Sequence, residues 1–242
     1  MRIFLAGKWV EKQQKIEVRN PYDTSVIDTV PKADKNDVER ALSFAEQGAK
    51  VIAKLSGYER WRILRKAADL MAARNEELGR LISTEEGKIL AEGRFEANRA
   101  VETMMGSAEE AKRIHGETVP LDGDPGGGKK IGFTLRVPCG VVVAISPFNF
   151  PLNLVCHKVG PALAAGNSVI IKPATDTPLS ALKLTDLPEP EPSHILTPGR
   201  GVVVDVAKLT PQQRDALEAI FLGRAGGFFG EWRTTEEATG QR

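Results

Sequence analysis

The chain has 242 residues, room for one large domain or two small ones, with the 41% apolar and 27% charged content of an ordinary soluble protein. Its 33 basic and 32 acidic side chains leave a net charge of +1, which argues against nucleic acid or an anionic membrane as a partner. No apolar run approaches the roughly 20 residues that a bilayer demands, and the opening MRIFLAGKWVEKQQK holds too short an apolar patch for a signal peptide, so a cytoplasmic setting is expected.

Residues 4–10 read as a strand ending in Gly-Lys-Trp. Residues 15–19 alternate, Asn20-Pro21-Tyr22-Asp23 makes a turn, and residues 26–30 form another strand. Asp34 opens a helix in which Val38, Ala41, Leu42 and Ala45 recur at helical spacing. A longer helix spans about residues 58–86, with Ile63, Leu64, Ala67, Leu70, Met71, Leu78 and Leu81 along one face. Glu85, Glu86 and Lys88 near its end read as a solvated face, and Trp9 and Trp61 as core-packing residues. A third helix covers about residues 90–115, with Ala97, Val101, Met104 and Met105 inside and Arg99 a solvated surface arginine. GDPGGGKK at residues 123–130 is a flexible break, and residues 131–137 alternate weakly as an exposed strand.

Two β-branched runs follow, Val141–Ile145 and residues 168–171, flanking a helical stretch. That is a βαβ unit in outline and places the chain in the α/β class. The turn after the first run carries Ser-Pro-Phe-Asn-Phe-Pro instead of a glycine fingerprint. Pro151 suits a first helical turn, where its missing N–H would be unpaired anyway. Leu152, Val155, Val159 and Leu163 continue at helical spacing, Pro161 is expected to kink the helix, and Gly166 to end it. Open α/β sheets bind ligands beyond the carboxyl ends of their strands, and a right-handed crossover sets Asn149 and Lys172 side by side there. An asparagine amide can donate to a developing oxyanion, and a lysine can meet ribose hydroxyls or a phosphate. On spacing alone, an Asn149 that merely caps the helix and a solvated Lys172 are the simpler account.

From Leu187 the character changes. LPEPEPSHILTPGRG is a proline-rich linker, residues 202–207 form a strand, residues 211–222 a helix with Leu217 and Ile220 on one face, and the rest is glycine-rich and polar. Nothing in this tail signals a continuation of the βαβ pattern.

The segment ISPFNFPLNLVCHKVGPALAAGNSVIIKPATDTPLSALKL strongly resembles the aldehyde dehydrogenase superfamily, with its P-[WF]-N-[FY]-P-[LM] element and later K-P segment. FLAGKWVE, VRNPYDTSVIDTVPKADKNDVERAL, RWRILRKAADLMAARNEELGRLISTEEGK and LRVPCGVVVAISPFNFP agree, in the family's order, over residues 1–185. Phe148 in place of tryptophan, together with NLVCHK, resembles the branch acting on lactaldehyde, glyceraldehyde 3-phosphate or phosphonoacetaldehyde. The resemblance implies a partial Rossmann-like parallel sheet with flanking helices, the N-terminal portion of that fold, and NAD or NADP as cofactor. It implies that Asn149 helps hold the oxyanion of a thiohemiacetal, that Lys172 contacts the adenosine ribose, and that Ile145, Ser146, Pro147 and Phe148 line the cofactor cleft. Many NAD-preferring members carry a glutamate where this chain has Thr175; a neutral residue there removes a clash with a 2′-phosphate and admits NADP. Residues 123–137 would belong to a projecting β element used in homo-oligomers, and the substrate is a small aldehyde.

The family reaction also needs a cysteine thiolate and a glutamate that activates water. Their F-T-G-S, E-L-G-G and G-Q-x-C motifs are absent from residues 186–242, and no cysteine follows Cys156. Cys139 and Cys156 give neither a disulfide framework nor metal spacing, and both read as small buried hydrophobes. His157 adjoins Cys156 in sequence, but successive helix positions point apart, and His115 and His194 have no evident partner. The expectation is an aldehyde dehydrogenase-like portion, residues 1–185, joined to an unrelated tail, residues 186–242, by fusion or a frame change near Thr185. The alternative is a non-catalytic remnant that binds nucleotide weakly or serves only in subunit association. Either way, uncovered apolar surface should make the chain prone to aggregate.

Overall fold

The first residues fold back on themselves. In the computed structural model, which describes residues 1–186 and 202–203, β1 (Ile3–Leu5) and β2 (Lys8–Val10) form an antiparallel hairpin where one continuous strand was expected. Only Ala6 and Gly7 separate them, and both take positive φ, 49° and 79°. A two-residue hairpin needs that left-handed pair, so the Gly in Ala-Gly-Lys marks a turn and not a strand end. Trp9 meets Phe4 edge-on across the hairpin. β3 (Lys15–Arg19) and β4 (Val26–Pro31) make a second antiparallel pair.

Helix α1 (Lys35–Ile52) starts where Asp34 predicts, with a capping box: the Asp37 amide donates to Asp34 Oδ1 at 3.1 Å and the Asp34 amide to Asp37 Oδ2 at 2.9 Å. The long second helix is two helices, α2 (Gly57–Ala73) and α3 (Asn75–Glu86), broken at Arg74. Arg74 ends one and precedes the other, and its guanidinium grips Glu77 through two bonds of 2.8 and 2.9 Å. α4 (Leu90–Ala111) crosses α3 closely and ends before the expected His115. β5 (Thr118–Val119) pairs with β6 (Gly132–Phe133), so the expected strand over residues 131–137 is regular for two residues only. Ile131, Phe133, Leu135 and Val137 nonetheless all face solvent.

The βαβ unit appears as read. β7 (Val141–Ile145) runs parallel to β8 (Ser168–Lys172), with Ile145 opposite Lys172. The intervening helix α5 (Asn153–Ala164) ends in a Schellman turn: Asn167 N donates to Ala162 O and Gly166 N to Leu163 O, with Gly166 at φ 84°. Pro161 lies within this helix, but Pro151 precedes it, in the turn. α6 (Leu179–Thr185) follows β8, and β9 (Val202–Val203), within the strand expected over residues 202–207, pairs parallel beside β8, so the chain past Leu187 does continue the parallel sheet, contrary to expectation. The linker from Leu187, the rest of the strand expected over residues 202–207, the helix over residues 211–222 and the polar end lie outside the described residues.

The architecture is α/β, a partial Rossmann-like parallel sheet with flanking helices. Helix α5 is apolar on two faces and separates two cores. Leu152 and Cys156 join Leu64, Met71, Ile82 and Met104 of the helical layer. Val155 and Val159 join Ala144, Val169 and Ile171 of the sheet. The helix that leaves the first strand tip is thereby held from both sides.

Candidate functional site

The carboxyl ends of β7 and β8 lie side by side, tied by a bond from Ser146 N to Lys172 O of 3.0 Å. Beyond β7, Ile145 and Phe148 stay more than half exposed, an apolar floor open at the strand tip. Pro147 and Asn149 are exposed as well. Ser146 is buried, and among the described residues its Oγ has no hydrogen-bond partner. Beyond β8, Lys172 Nζ lies 3.5 Å from Thr175 Oγ1, so an ammonium and a hydroxyl are presented together with no carboxylate at position 175. This donor set fits a dinucleotide of the NAD or NADP type, whose ribose hydroxyls and phosphates need such partners.

The Asn149 side chain is no helix cap. The N-cap position of α5 is Leu152, with no side-chain capping bond. The start of α5 is satisfied from elsewhere: Glu96 of α4 accepts from Leu152 N at 3.0 Å and Asn153 N at 3.1 Å through one oxygen. Its other oxygen meets Lys88 Nζ at 2.8 Å, and Lys88 also donates to Asn149 O at 3.0 Å. Glu85 serves α6 in the same manner, accepting from Leu179 N at 2.7 Å, Ser180 N at 2.9 Å and the Ser180 hydroxyl. Glu85, Glu86 and Lys88 are therefore not a solvated face. Glu85 is 2% exposed and its carboxyl is pushed up to about 7, by burial first, against the pull of its three donors and with a push from Glu96. Two capping carboxylates were missed in the sequence; the available signal was Glu96 on the buried stripe of Gly93, Ala97 and Ala100.

The two cysteines part company. Cys156 is sealed in the core, and burial, aided by Glu96, pushes its thiol far above the usual range. Cys139 is exposed, not buried, because it lies in the loop entering β7 where Gly140 turns at φ 105°. It stands at the opposite end of β7 from Asn149, about 17 Å along the strand at 3.3 Å per residue. Neither thiol can serve as a nucleophile at the Asn149 tip. Arg99 is exposed, Trp61 packs on the helical core and bonds Glu109, and no group of side chains able to hold a metal occurs among the described residues. No described helix is long and apolar enough to cross a membrane.

The model of the aldehyde dehydrogenase family matches residues 9–196. The chain belongs to the aldehyde dehydrogenase family. It is 49% identical over 187 residues to a 3-sulfolactaldehyde dehydrogenase of Priestia aryabhattai, covering 77% of this chain and 39% of that protein. It is 34% identical over 194 residues to a lactaldehyde dehydrogenase of Methanococcus vannielii, covering 80% of this chain and 39% of the relative. Lactaldehyde dehydrogenases are thus among the relatives, as Phe148 and NLVCHK suggested. The crystal structure of aldehyde dehydrogenase 21 from Physcomitrella patens, in complex with the reaction product succinate, superposes with a TM-score of 0.79 at 34% identity, over 88% of this chain and 44% of that one. The NADP-dependent glyceraldehyde-3-phosphate dehydrogenase from Bacillus halodurans, complexed with NADP, gives 0.76 at 34% identity, over 84% and 43%. This aldehyde dehydrogenase-family chain spans about 39% of the length of the curated relatives it matches.

Proposed function

We propose that the chain contributes the cofactor-binding half-site of an NAD(P)-dependent aldehyde dehydrogenase, which oxidises a small aldehyde to its carboxylic acid. The carrying observation is the tip of the β7–β8 pair, where the exposed Asn149 follows one strand and the Lys172–Thr175 pair follows its neighbour. In this reading Asn149 donates its amide to the oxyanion. Lys172 and Thr175 hold the adenosine ribose, and Ile145, Ser146, Pro147 and Phe148 line the cofactor. When bound, the nicotinamide supplies the hydride acceptor. In this reading residues 1–185 form the aldehyde dehydrogenase-like region and residues 186–242 follow as a tail of different composition, of which β9 still joins the sheet. The apolar ribbon of Ile131, Phe133, Leu135 and Val137 pairs with a second copy of the chain in a cytoplasmic homo-oligomer.

A second reading is favoured by the cysteines. With Cys156 sealed and Cys139 at the wrong end of β7, the 242 residues alone bind nucleotide without turning over aldehyde. Calorimetric titration tests both readings. The contacts of the β7–β8 tip by themselves should hold NADP only on the order of millimolar, with NADP competing at least as well as NAD. Lys172→Ala should abolish it, and Thr175→Glu should penalise NADP selectively through charge repulsion. Micromolar NAD binding that ignores Lys172→Ala would show the site to be misplaced. NADPH formation from a short aldehyde, lost on alkylating the cysteines, would overturn the second reading.

A further inference from the structure

The turn between β7 and α5 is held from outside. Thr177 Oγ1 donates to Phe148 O at 3.3 Å, and Lys88 Nζ donates to Asn149 O at 3.0 Å. Lys88 Nζ also stands 4.3 Å from the centre of the Phe150 ring, near enough for a cation–π contact. Its side chain is only 9% exposed and is anchored in turn by Glu96 at 2.8 Å and Glu86 at 3.5 Å. Glu96, 1% exposed, spends its other oxygen on the first amides of α5. One rigid helix, α4, thus fixes both the helix that follows the turn and the cation that grips the turn.

We propose that Lys88 is a positioning residue for Asn149: anchored by Glu96, it clamps the Asn149 carbonyl and the Phe150 ring and so sets the direction in which the Asn149 amide points. Its catalytic meaning rests on the reading of Asn149 as the oxyanion donor; the clamp itself does not. A lysine that served only as a buried counter-ion would need its carboxylates alone. Here the second of its two hydrogen bonds goes to the one carbonyl whose residue carries the amide in question. An amide aimed at a developing charge must be held in place before the charge appears. A side chain on an exposed turn gains that constraint only from partners on a rigid element.

The test uses the full chain labelled with nitrogen-15, with the Asn149 side-chain amide identified by its loss in Asn149→Gln. In Lys88→Met this signal should move and its two protons lose their separation, while the β3–β4 amides stay in place. Lys88→Arg, which keeps a donor for both Glu96 and the carbonyl, should return it most of the way. An Asn149 signal unmoved by Lys88→Met, or one moved equally by Lys88→Arg, overturns the proposal. Should Lys88→Met fail to fold, contacts between the Lys88 side-chain protons and the Phe150 ring decide the matter in the wild-type chain. Their presence supports the clamp and their absence overturns it. NADP is titrated in parallel. A wild-type chain indifferent to NADP refutes the cofactor reading alone, because the Asn149 signal is read without nucleotide.

Discussion

Helices α3 and α4 touch through two glycines, and a single methyl group there should unpick the layer that carries Glu96. A Cβ on Gly93 would lie 2.4 Å from Gly79 O and 3.3 Å from Ser83 N, both backbone atoms. A Cβ on Gly79 would in turn lie 2.9 Å from Arg94 Cα. Gly93→Ala therefore falls about 1 Å short of ordinary contact, and no side chain can swing aside, so the helices must part in a close-packed layer. Overpacking costs about 1–3 kcal/mol, and backbone against backbone puts this site near ~3. Alanine returns ~1 kcal/mol in helix propensity. The net loss is about 2 kcal/mol, or about thirtyfold in the folded-to-unfolded ratio. Gly106, on the same helix, has nothing within 4 Å of its would-be Cβ. Gly106→Ala should keep the propensity gain and stabilise by up to ~1 kcal/mol. Urea unfolding of the two variants beside the wild type supplies the comparison, read as midpoints at constant slope. If Gly93→Ala were as stable as Gly106→Ala, the helix crossing could not be as close as described.

Glu85 makes the neutral limb of the pH profile predictable. Its carboxyl titrates near 7 in the folded protein against 4.5 ordinarily, so the folded state holds the proton more tightly. Stability from this group is greatest below about 4.5 and falls as pH rises through about 7, by up to ~3 kcal/mol. Glu77 has the opposite sign: Arg74 lowers it to about 2, so its contribution is lost as pH falls below about 4.5. Urea midpoints should therefore peak on the mildly acidic side, and Glu85→Gln should flatten the neutral decline; an unchanged slope in that variant would refute the assignment. With an aromatic disulfide reagent, the native chain should release about one equivalent from Cys139, and Cys156 should react only after denaturation. Two rapid equivalents would mean that the helical core is open.

Much of the fold was legible because its signals are local. Asp34 with Asp37, the β3 alternation, the β-branched runs of β7 and β8, and Gly166 each declare an element within a few residues. The misses share a different cause. The β1–β2 turn rests on Ala6 adopting a positive φ, which composition does not forecast. The break at Arg74 lay hidden in a continuous apolar stripe; only the acids Glu76 and Glu77, first-turn residues of α3, hinted at a restart. Glu85 and Glu96 were invisible as caps because their partners lie 94 and 56 residues further along the chain. Cys139 was misread because burial was inferred from residue type, whereas its exposure comes from the loop at Gly140. Of the candidate site, the tips of β7 and β8 followed from topology, and the identities of Asn149, Lys172 and Thr175 from resemblance. The Lys88 clamp followed from neither, since it joins two helices and a turn that are distant in sequence.

Capping α5 from Glu96 relieves the turn before it of a duty. A helix usually draws its first hydrogen bonds from the residues that lead into it, which restricts those positions to a few short polar side chains. Here Leu152 occupies the cap position and Glu96 takes the amides of Leu152 and Asn153, so the side chains of residues 146–151 cap nothing, and the turn's backbone contributes the Phe150 carbonyl, which accepts from Leu154 N at 3.0 Å. Phe148, exposed at the β7 tip and capping nothing, can be substituted at little cost to the helix behind it. Glu96 thus carries, from a distant helix, a task that the side chains of the turn would otherwise have to perform.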